Sequence, residues 1–371
     1  MTGPRYTKLT AGLPATVPFV GPESQERSLG QPFRARLGAN ESVFGPSPKA
    51  IEAMAKAAAQ TWMYGDPENH DLRHALAAHE GVTFENIIVG EGIDGLLGYL
   101  VRLVTEGPKD AVVTSDGAYP TFNYHVAGYG GGLHKVPYSG DHEDPDALLA
   151  KARKVRAKLV YLANPDNPMG SWHSRETIEQ MASAMPDGCL LVLDEAYAQF
   201  LPATKVPQID PNNPSVIRFR TFSKAYGMAG ARVGYGIGHP DLIDAFNKVR
   251  NHFGMCRISQ AGALAALEDT KYLSEVIDKV KDATTRIGTI AAGNGLTALP
   301  TAANFVAIDC GGDEAFAKSV LDGLIDQGVF VRMPFVKPQN RCIRISAGKI
   351  PDLDIFAEAL PRALSQARAQ L

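Results

Sequence analysis

From residue 86 onward, short apolar runs alternate with amphipathic stretches of helical period. The runs are Ile87-Ile88-Val89, Ala111-Val112-Val113, Leu133 to Val136, Leu159 to Leu162, Leu190 to Asp194 and Val216 to Phe219, and Arg232 to Ile237 reads as one more strand. This alternation predicts a doubly wound α/β sheet. Runs as apolar as LVYLA and CLLVLD suit strands buried on both faces. Ahead of them, Pro48 to Thr61 and His70 to Glu80 carry apolar positions at helical spacing and read as helices, the first with Pro near its start. A helix from Leu96 to Val104 follows the first strand, and a long helical stretch is predicted from Asp241 onward.

The C-terminal third has another pattern. A long helix around Leu273 to Ala292 leads to short strands at Asn304 to Ile308, Val329 to Arg332 and Cys342 to Ser346, flanked by helices at Glu314 to Gln327 and Asp354 to Ala367. The expected organisation is an extended N-terminal arm (1–36, rich in Pro, Gly and Ser), a large α/β domain (37–250) and a smaller α+β domain (251–371) against which the arm packs.

Composition narrows the function classes. The 371 residues are 45% hydrophobic, with 37 basic against 40 acidic side chains and a formal net charge of -3. No basic stripe suggests a nucleic-acid partner, and no uninterrupted apolar run is long enough to span a membrane. The four cysteines are scattered without a C-x-x-C pair. That pattern, with no signal-like N-terminus, predicts a cytoplasmic protein with free thiols. The sequon at Asn40-Glu41-Ser42 then carries no meaning. A small-molecule substrate is the expectation.

Several segments carry chemistry. In Thr221-Phe222-Ser223-Lys224-Ala225-Tyr226-Gly227, a lysine sits beside hydroxyls in a glycine-rich turn, and Arg232 follows eight residues on. A lysine that attacks a carbonyl must be deprotonated, which burial or a neighbouring cation favours. The hydroxyls and the planar guanidinium suit a phosphate. Asp194 ends a buried strand, where open α/β sheets bind ligands, and Tyr197 lies three residues beyond; a strand-end Asp also commonly caps a helix. The two X-Pro steps of Asn164-Pro165-Asp166-Asn167-Pro168 fix an extended turn that aims the Asn167 amide. Gly90-Glu91-Gly92-Ile93-Asp94-Gly95 lies between a strand and a helix, an anion site by geometry. It also matches the dinucleotide fingerprint, but a lone match in mid-chain is weak. Tyr119, Phe122 and Tyr124 offer an aromatic face for a flat ring, or fill the core. Arg344 and Arg332 alternate with apolar residues on short strands. Each either binds an anionic substrate group in a cleft or pairs with a surface acid.

The ordered set N-P-x-N-P-x-G, D-E-A-Y, S-K-x-x-x-x-A-G-x-R-x-G and R-I-S resembles the fold-type I, class I/II aminotransferases from about residue 37 to the C-terminus. The histidinol-phosphate subgroup is the nearest, on Leu37 to Glu41 (L-G-A-N-E), Tyr64, P-T-F-x-Y and V-x-V-R. The resemblance implies a pyridoxal 5′-phosphate (PLP) enzyme of amino-acid biosynthesis, in which Lys224 holds the cofactor as a Schiff base and shuttles the proton in a ping-pong reaction. Asp194 would pair with the pyridine nitrogen. Asn167 and Tyr197 would bond the ring hydroxyl, and Phe122 would stack on the ring. Backbone N–H groups of Gly92, Ile93 and Asp94, with Ser223, Arg232 and Thr221, would hold the phosphate. Tyr64 would reach the phosphate in the neighbouring subunit of a homodimer with shared sites. Arg344 would bind the substrate carboxylate or phosphate, flanked by Asn40 and Arg332.

Three departures bear on the substrate. Met169 stands where the family usually has Thr, and Ile93 and Gly95 replace a more polar residue and a Glu. The same constellation also serves PLP-dependent decarboxylases and lyases, such as threonine-phosphate decarboxylase-like enzymes, which stay open as the alternative. His70 and His74 are four apart on a helix but lack the motif and third ligand of a zinc site, so no metal is expected.

Overall fold

A computed structural model describes residues 3–15 and 20–369; residues 1, 2 and 16–19 of the expected arm lie outside the described residues, as do 370 and 371. The arm departs from the extended reading. Helix α1 (Lys8–Ala11) starts where the Thr7 side chain accepts the Thr10 N–H. Helix α2 (Pro22–Leu29) has Pro at its start, Glu23 in its first turn and Gly30 in the left-handed region at φ 71° beyond its end. These end signals act over a few residues and make a helix from a segment whose Pro and Gly content suggested none.

Strand β1 (Ala35–Arg36) follows, then α3 (Pro48–Ala58), capped by Ser47, and α4 (His70–Glu80) over the predicted residues. The alternation comes next: β2 (Ile87–Gly90), α5 (Gly92–Val104), β3 (Ala111–Ser115), α6 (Pro120–Gly128), β4 (Gly132–Val136), α7 (Pro145–Val155), β5 (Leu159–Ala163), α8 (Arg175–Ser183), β6 (Leu190–Asp194), β7 (Val216–Thr221) and β8 (Gly234–Gly238). Arg232, expected to open the last strand, precedes it in a left-handed conformation (φ 54°). The helical stretch expected from Asp241 is broken. After α9 (Pro240–Ala245), a loop through Gly254 intervenes before α10 (Arg257–Glu268) and α11 (Thr270–Gly293). A Cβ at Gly254 would overlap the Glu91 carboxylate, so this loop closes tightly on the start of α5. The chain ends with β9 (Thr297–Ala298), β10 (Phe305–Asp309), α12 (Glu314–Asp326), β11 (Val329–Phe330), β12 (Cys342–Ser346) and α13 (Ile350–Ala369).

The large sheet has seven strands in the order β2-β8-β7-β6-β5-β3-β4. All pairs are parallel except those made by β8. Period-2 alternation divides its side chains between two cores: Leu190 and Val192 pack on one face, Leu191 and Leu193 on the other. A third core joins α3, α4 and α10 to β2 and β8. Thus α10, which a boundary after residue 250 would give to the smaller unit, packs on the large one. The smaller unit gathers α11, α12 and α13 around the β12-β10-β9 sheet, and Ala35 and Leu37 join that core. β1 pairs in parallel with β11, which ties the end of the arm to the C-terminal third. Among the described residues, no helix is long and apolar enough to cross a membrane.

Candidate active site

Most of the expected functional residues line a cavity of about 230 Å³ outside the carboxyl ends of β5, β6 and β7. A second lobe of about 170 Å³ adjoins it, and Ala39, Tyr119, Asn167 and Lys224 line both. A doubly wound sheet opens a crevice at this end because its connections leave toward opposite faces.

One side of the first lobe is an anion cup. Helix α5 begins there without a side-chain cap on its N-terminal N–H groups, and Ile93 and Asp94 line the cavity. Gly92 has φ 77°, and a Cβ on it would lie 2.4 Å from Arg232 Nη2. Only glycine lets that guanidinium fold over the helix start. Arg232 Nη1 is 3.5 Å from Ser223 Oγ, and Thr221 Oγ1 is 2.9 Å from the same hydroxyl. Free helix N–H groups, two hydroxyls and a guanidinium make a donor set for a phosphate.

Lys224 follows directly. Its Nζ donates to the Asn40 carbonyl at 3.1 Å and lies 5.5 Å from the centre of the Tyr197 ring. Burial first, then the Arg344 charge, pushes its pKa down to about 8. Asp194 is buried; its Oδ2 accepts the Tyr161 hydroxyl at 2.7 Å and its Oδ1 accepts the Ala196 N–H at 2.9 Å. Burial raises its pKa, against the pull of the Tyr161 and Ala196 hydrogen bonds and the Lys224 charge. A buried carboxylate of raised proton affinity suits a cationic or N–H-bearing partner. Burial also pushes Tyr197 up to about 12, so its phenol keeps its proton.

Asn40 joins the two units. Its backbone adopts φ 56°, its N–H donates to Ser346 Oγ, its Oδ1 accepts the Ser346 hydroxyl, and its Nδ2 donates to the Tyr197 hydroxyl at 3.2 Å. The same carbonyl that meets Lys224 also accepts Asn304 Nδ2 at 3.0 Å. The turn that carries Asn167 is fixed by Asp166, whose carboxylate accepts the Met169 N–H and the Tyr138 hydroxyl.

The second lobe holds both expected arginines. Arg344 Nη1 donates to Asn167 Oδ1, Nη2 reaches the Gly38 carbonyl at 3.4 Å, and Nε is buried with no hydrogen-bond partner. Burial draws its pKa down to about 10. Arg332 lies just beyond β11 rather than on it and bridges the Arg344 backbone; its Nη2 donates to the Val20 carbonyl at 3.0 Å. Two guanidiniums, one with an unused donor, make this lobe a receptor for an anionic group.

Two expected residues lie elsewhere. Phe122 is fully buried, stacked on Tyr161 at 4.7 Å, and lines neither lobe. Helix α6 starts at Pro120, which turns Phe122 into the sheet–helix core and leaves Tyr119, just ahead of the helix, in the cleft. Tyr64 is 78% exposed, against Phe253 at 4.8 Å, outside both lobes of the single chain. Sequence reasoning passed over Tyr161, a hydroxyl in an otherwise apolar strand, and that contrast was the available signal. His70 and His74 meet edge to face at 4.4 Å, and both rings pack tilted against Phe84.

Known proteins resemble this chain in sequence and in fold. The family model for aminotransferase class I and II matches residues 35–360. A histidinol-phosphate aminotransferase of Moorella thermoacetica is 31% identical over 368 residues, covering 98% of this chain and 94% of its own. An aromatic amino acid aminotransferase of Nocardia farcinica is 35% identical over 291 residues, covering 76% of this chain and 81% of its own. The crystal structure of histidinol-phosphate aminotransferase from Sinorhizobium meliloti in complex with pyridoxal-5′-phosphate superposes with a TM-score of 0.95 at 53% identity, over 100% of this chain and 99% of that one. With a lysine, a buried aspartate, an anion cup and paired arginines in one cleft, and a family model that spans most of its length, the chain belongs to the class I and II aminotransferases.

Proposed function

We propose that the enzyme works with PLP and moves an amino group between a donor and a 2-oxo acid or an imidazole-acetol-phosphate-like acceptor, in the manner of the histidinol-phosphate and aromatic aminotransferases. The observation that carries this reading is the Lys224 amine, with its pKa drawn down to about 8, in one cavity with buried Asp194 and the anion cup. The residues present fit the cofactor. Gly92 leaves the room that Arg232 needs over the start of α5, and Asp194 is a buried carboxylate suited to a protonated ring nitrogen.

When bound, PLP supplies an aldehyde that condenses with amines and a protonated ring that draws electrons from the substrate α-carbon. Lys224 is the residue that holds it covalently. With its amine pKa drawn down to about 8, Lys224 would also carry the proton at the substrate α-carbon. Asp194 holds the proton on the ring nitrogen, and Tyr161 orients Asp194. Tyr197 Oη and the Asn167 amide would bond the ring hydroxyl, and Tyr119 would supply the aromatic wall first expected of Phe122. Ile93, Asp94, Ser223, Thr221 and Arg232 hold the phosphate. Arg344 orients the substrate carboxylate with two parallel hydrogen bonds, and Arg332 and Asn40 flank it. Two arginines in one lobe suit a substrate with a second anionic group, such as a phosphate monoester or the side-chain carboxylate of glutamate.

The working form is a cytoplasmic homodimer. Tyr64, exposed against Phe253, completes the other protomer's phosphate site. A decarboxylase of the same fold finds no support, since the relatives above are named as aminotransferases.

Rapid-mixing absorbance with glutamate, phenylalanine and histidinol phosphate tests the reading. The visible band of the lysine-bound cofactor should bleach with the true donor and return with an oxo acid. A yellow protein that no donor bleaches would overturn transamination, and a protein that takes up no PLP would overturn the cofactor assignment.

A further inference from the structure

The anion cup contains a contradiction that the fold resolves. Asp94 lines the cavity within the first turn of α5, where a phosphate is to bind. A carboxylate there competes with an anion for the same helix N-terminal donors and repels it. The Asp94 carboxylate is tethered at the edge of the cup. Its Oδ1 is bonded to His125 Nε2 at 2.9 Å. A carboxylate only accepts, so Nε2 carries the hydrogen of this bond.

The pairing is built into two helices. Asp94 and Gly98 are four residues apart on α5, so they lie one above the other on one face. Gly98 leaves that face bare, and His125 of α6 occupies the gap. A Cβ at position 98 would lie 2.9 Å from His125 Cε1 and Nδ1. Any larger residue there would force the imidazole to shift. Glycine inside a helix costs about 0.5–1 kcal/mol relative to alanine, so its presence mid-helix calls for a packing reason, and the imidazole is the group it admits.

We propose that His125 is a positioning residue for the cofactor phosphate: by tethering the Asp94 carboxylate on the flank of α5, it keeps the helix N-terminus free for the dianion. It acts through Asp94 and does not touch the phosphate. Rotation of the freed carboxylate toward the cup would place a negative charge beside the dianion and occupy its donors. The inference rests on the PLP reading.

The test is equilibrium binding of PLP to the apo-enzyme, followed by absorbance, for wild type, His125→Ala, His125→Gln and the double variant His125→Ala/Asp94→Asn. His125→Ala should weaken PLP binding roughly tenfold, the scale of one charge-assisted hydrogen bond. His125→Gln, which keeps a donor, should stay near wild type. Adding Asp94→Asn to His125→Ala should restore most of the affinity, because a neutral amide no longer repels the phosphate. If imidazole packing against Gly98 were its whole role, Asp94→Asn would rescue nothing, and that result overturns the proposal, as does His125→Ala binding PLP as tightly as wild type. A wild-type chain that takes up no PLP would overturn the cofactor reading and this inference with it.

Discussion

The Tyr161 hydroxyl donates to Asp194 Oδ2 across two neighbouring strands, at 2.7 Å. In the β5–β6 register Tyr161 is opposite Val192, so Asp194 is its diagonal neighbour on the same face. Tyr161→Phe removes this donor and leaves the carboxylate with a still higher proton affinity. Turnover should fall roughly tenfold, the scale of one hydrogen bond to a charged group, with little change in substrate KM. Asp194→Ala marks the limit and should nearly abolish turnover. Steady-state kinetics of both variants decide this, and persistent turnover in Asp194→Ala would remove the aspartate from the mechanism.

Lys224 titrates near pH 8 instead of its ordinary 10.5. Only the neutral amine attacks the cofactor aldehyde, so the rate of PLP uptake by the apo-enzyme should rise with pH and level off above about 8, where an ordinary lysine would level off only above 10. Arg344 contributes to the depression. In Arg344→Met the midpoint should therefore move to higher pH. Linkage gives a second readout. Between pH 8 and 10.5 the unfolded chain binds the lysine proton and the folded chain does not, so the penalty of burying it fades as pH rises. Apo wild type should gain melting temperature over that window relative to Lys224→Met.

Arg344 has an unused buried Nε and faces the second lobe. Arg344→Lys keeps the charge and loses the fork, which is not a conservative change at a bidentate site. The kcat/KM for the amino donor should drop by about 100-fold or more, corresponding to about 3 kcal/mol of charge-assisted hydrogen bonding, while the PLP affinity stays within a few-fold of wild type. Equal losses in both would mean that Arg344 supports the fold instead of the substrate.

Tyr64 stands exposed on the single chain. In a dimer with shared sites, Tyr64→Ala and Lys224→Ala damage complementary halves of each site. Mixing the two weakly active variants under exchange conditions should restore activity, because one site of each heterodimer then has both native residues. Equilibrium sedimentation should give about twice the 39.7 kDa chain mass. Absence of complementation in a confirmed heterodimer would place Tyr64 outside the site.

The parts of this protein that were legible in its sequence are those written over a few neighbouring residues. The apolar runs placed all seven strands of the large sheet. Most of them, β2, β3, β5, β6 and β8, are buried along their whole length and so have no polar alternation to hide them, whereas β4 and β7 are partly exposed. Lys224, Asp194 and Arg232 were legible for a related reason: Asp194 ends a strand, Lys224 follows one, Arg232 precedes the antiparallel β8, and the sheet itself delivers these strand ends to one crevice. The cap signals around Pro22 and Gly30 were equally local, but low periodicity masked them, and α2 was missed.

Tertiary structure alone decided the rest. Phe122 and Tyr119 are three residues apart, and the phase of the helix starting at Pro120 chose which one met the cavity. The contact between Asn40 and Ser346 spans 306 positions, and the reach from Lys224 to the Asn40 carbonyl spans 184. The pairing of Asp94 with His125 depends on an empty position at Gly98 that only the packing of two helices turns into a slot. Propensity, capping and hydrophobic period are properties of adjacent residues and survive in a string of letters. Which distant groups share a cavity depends on how whole elements pack, and that is fixed only when the cores close.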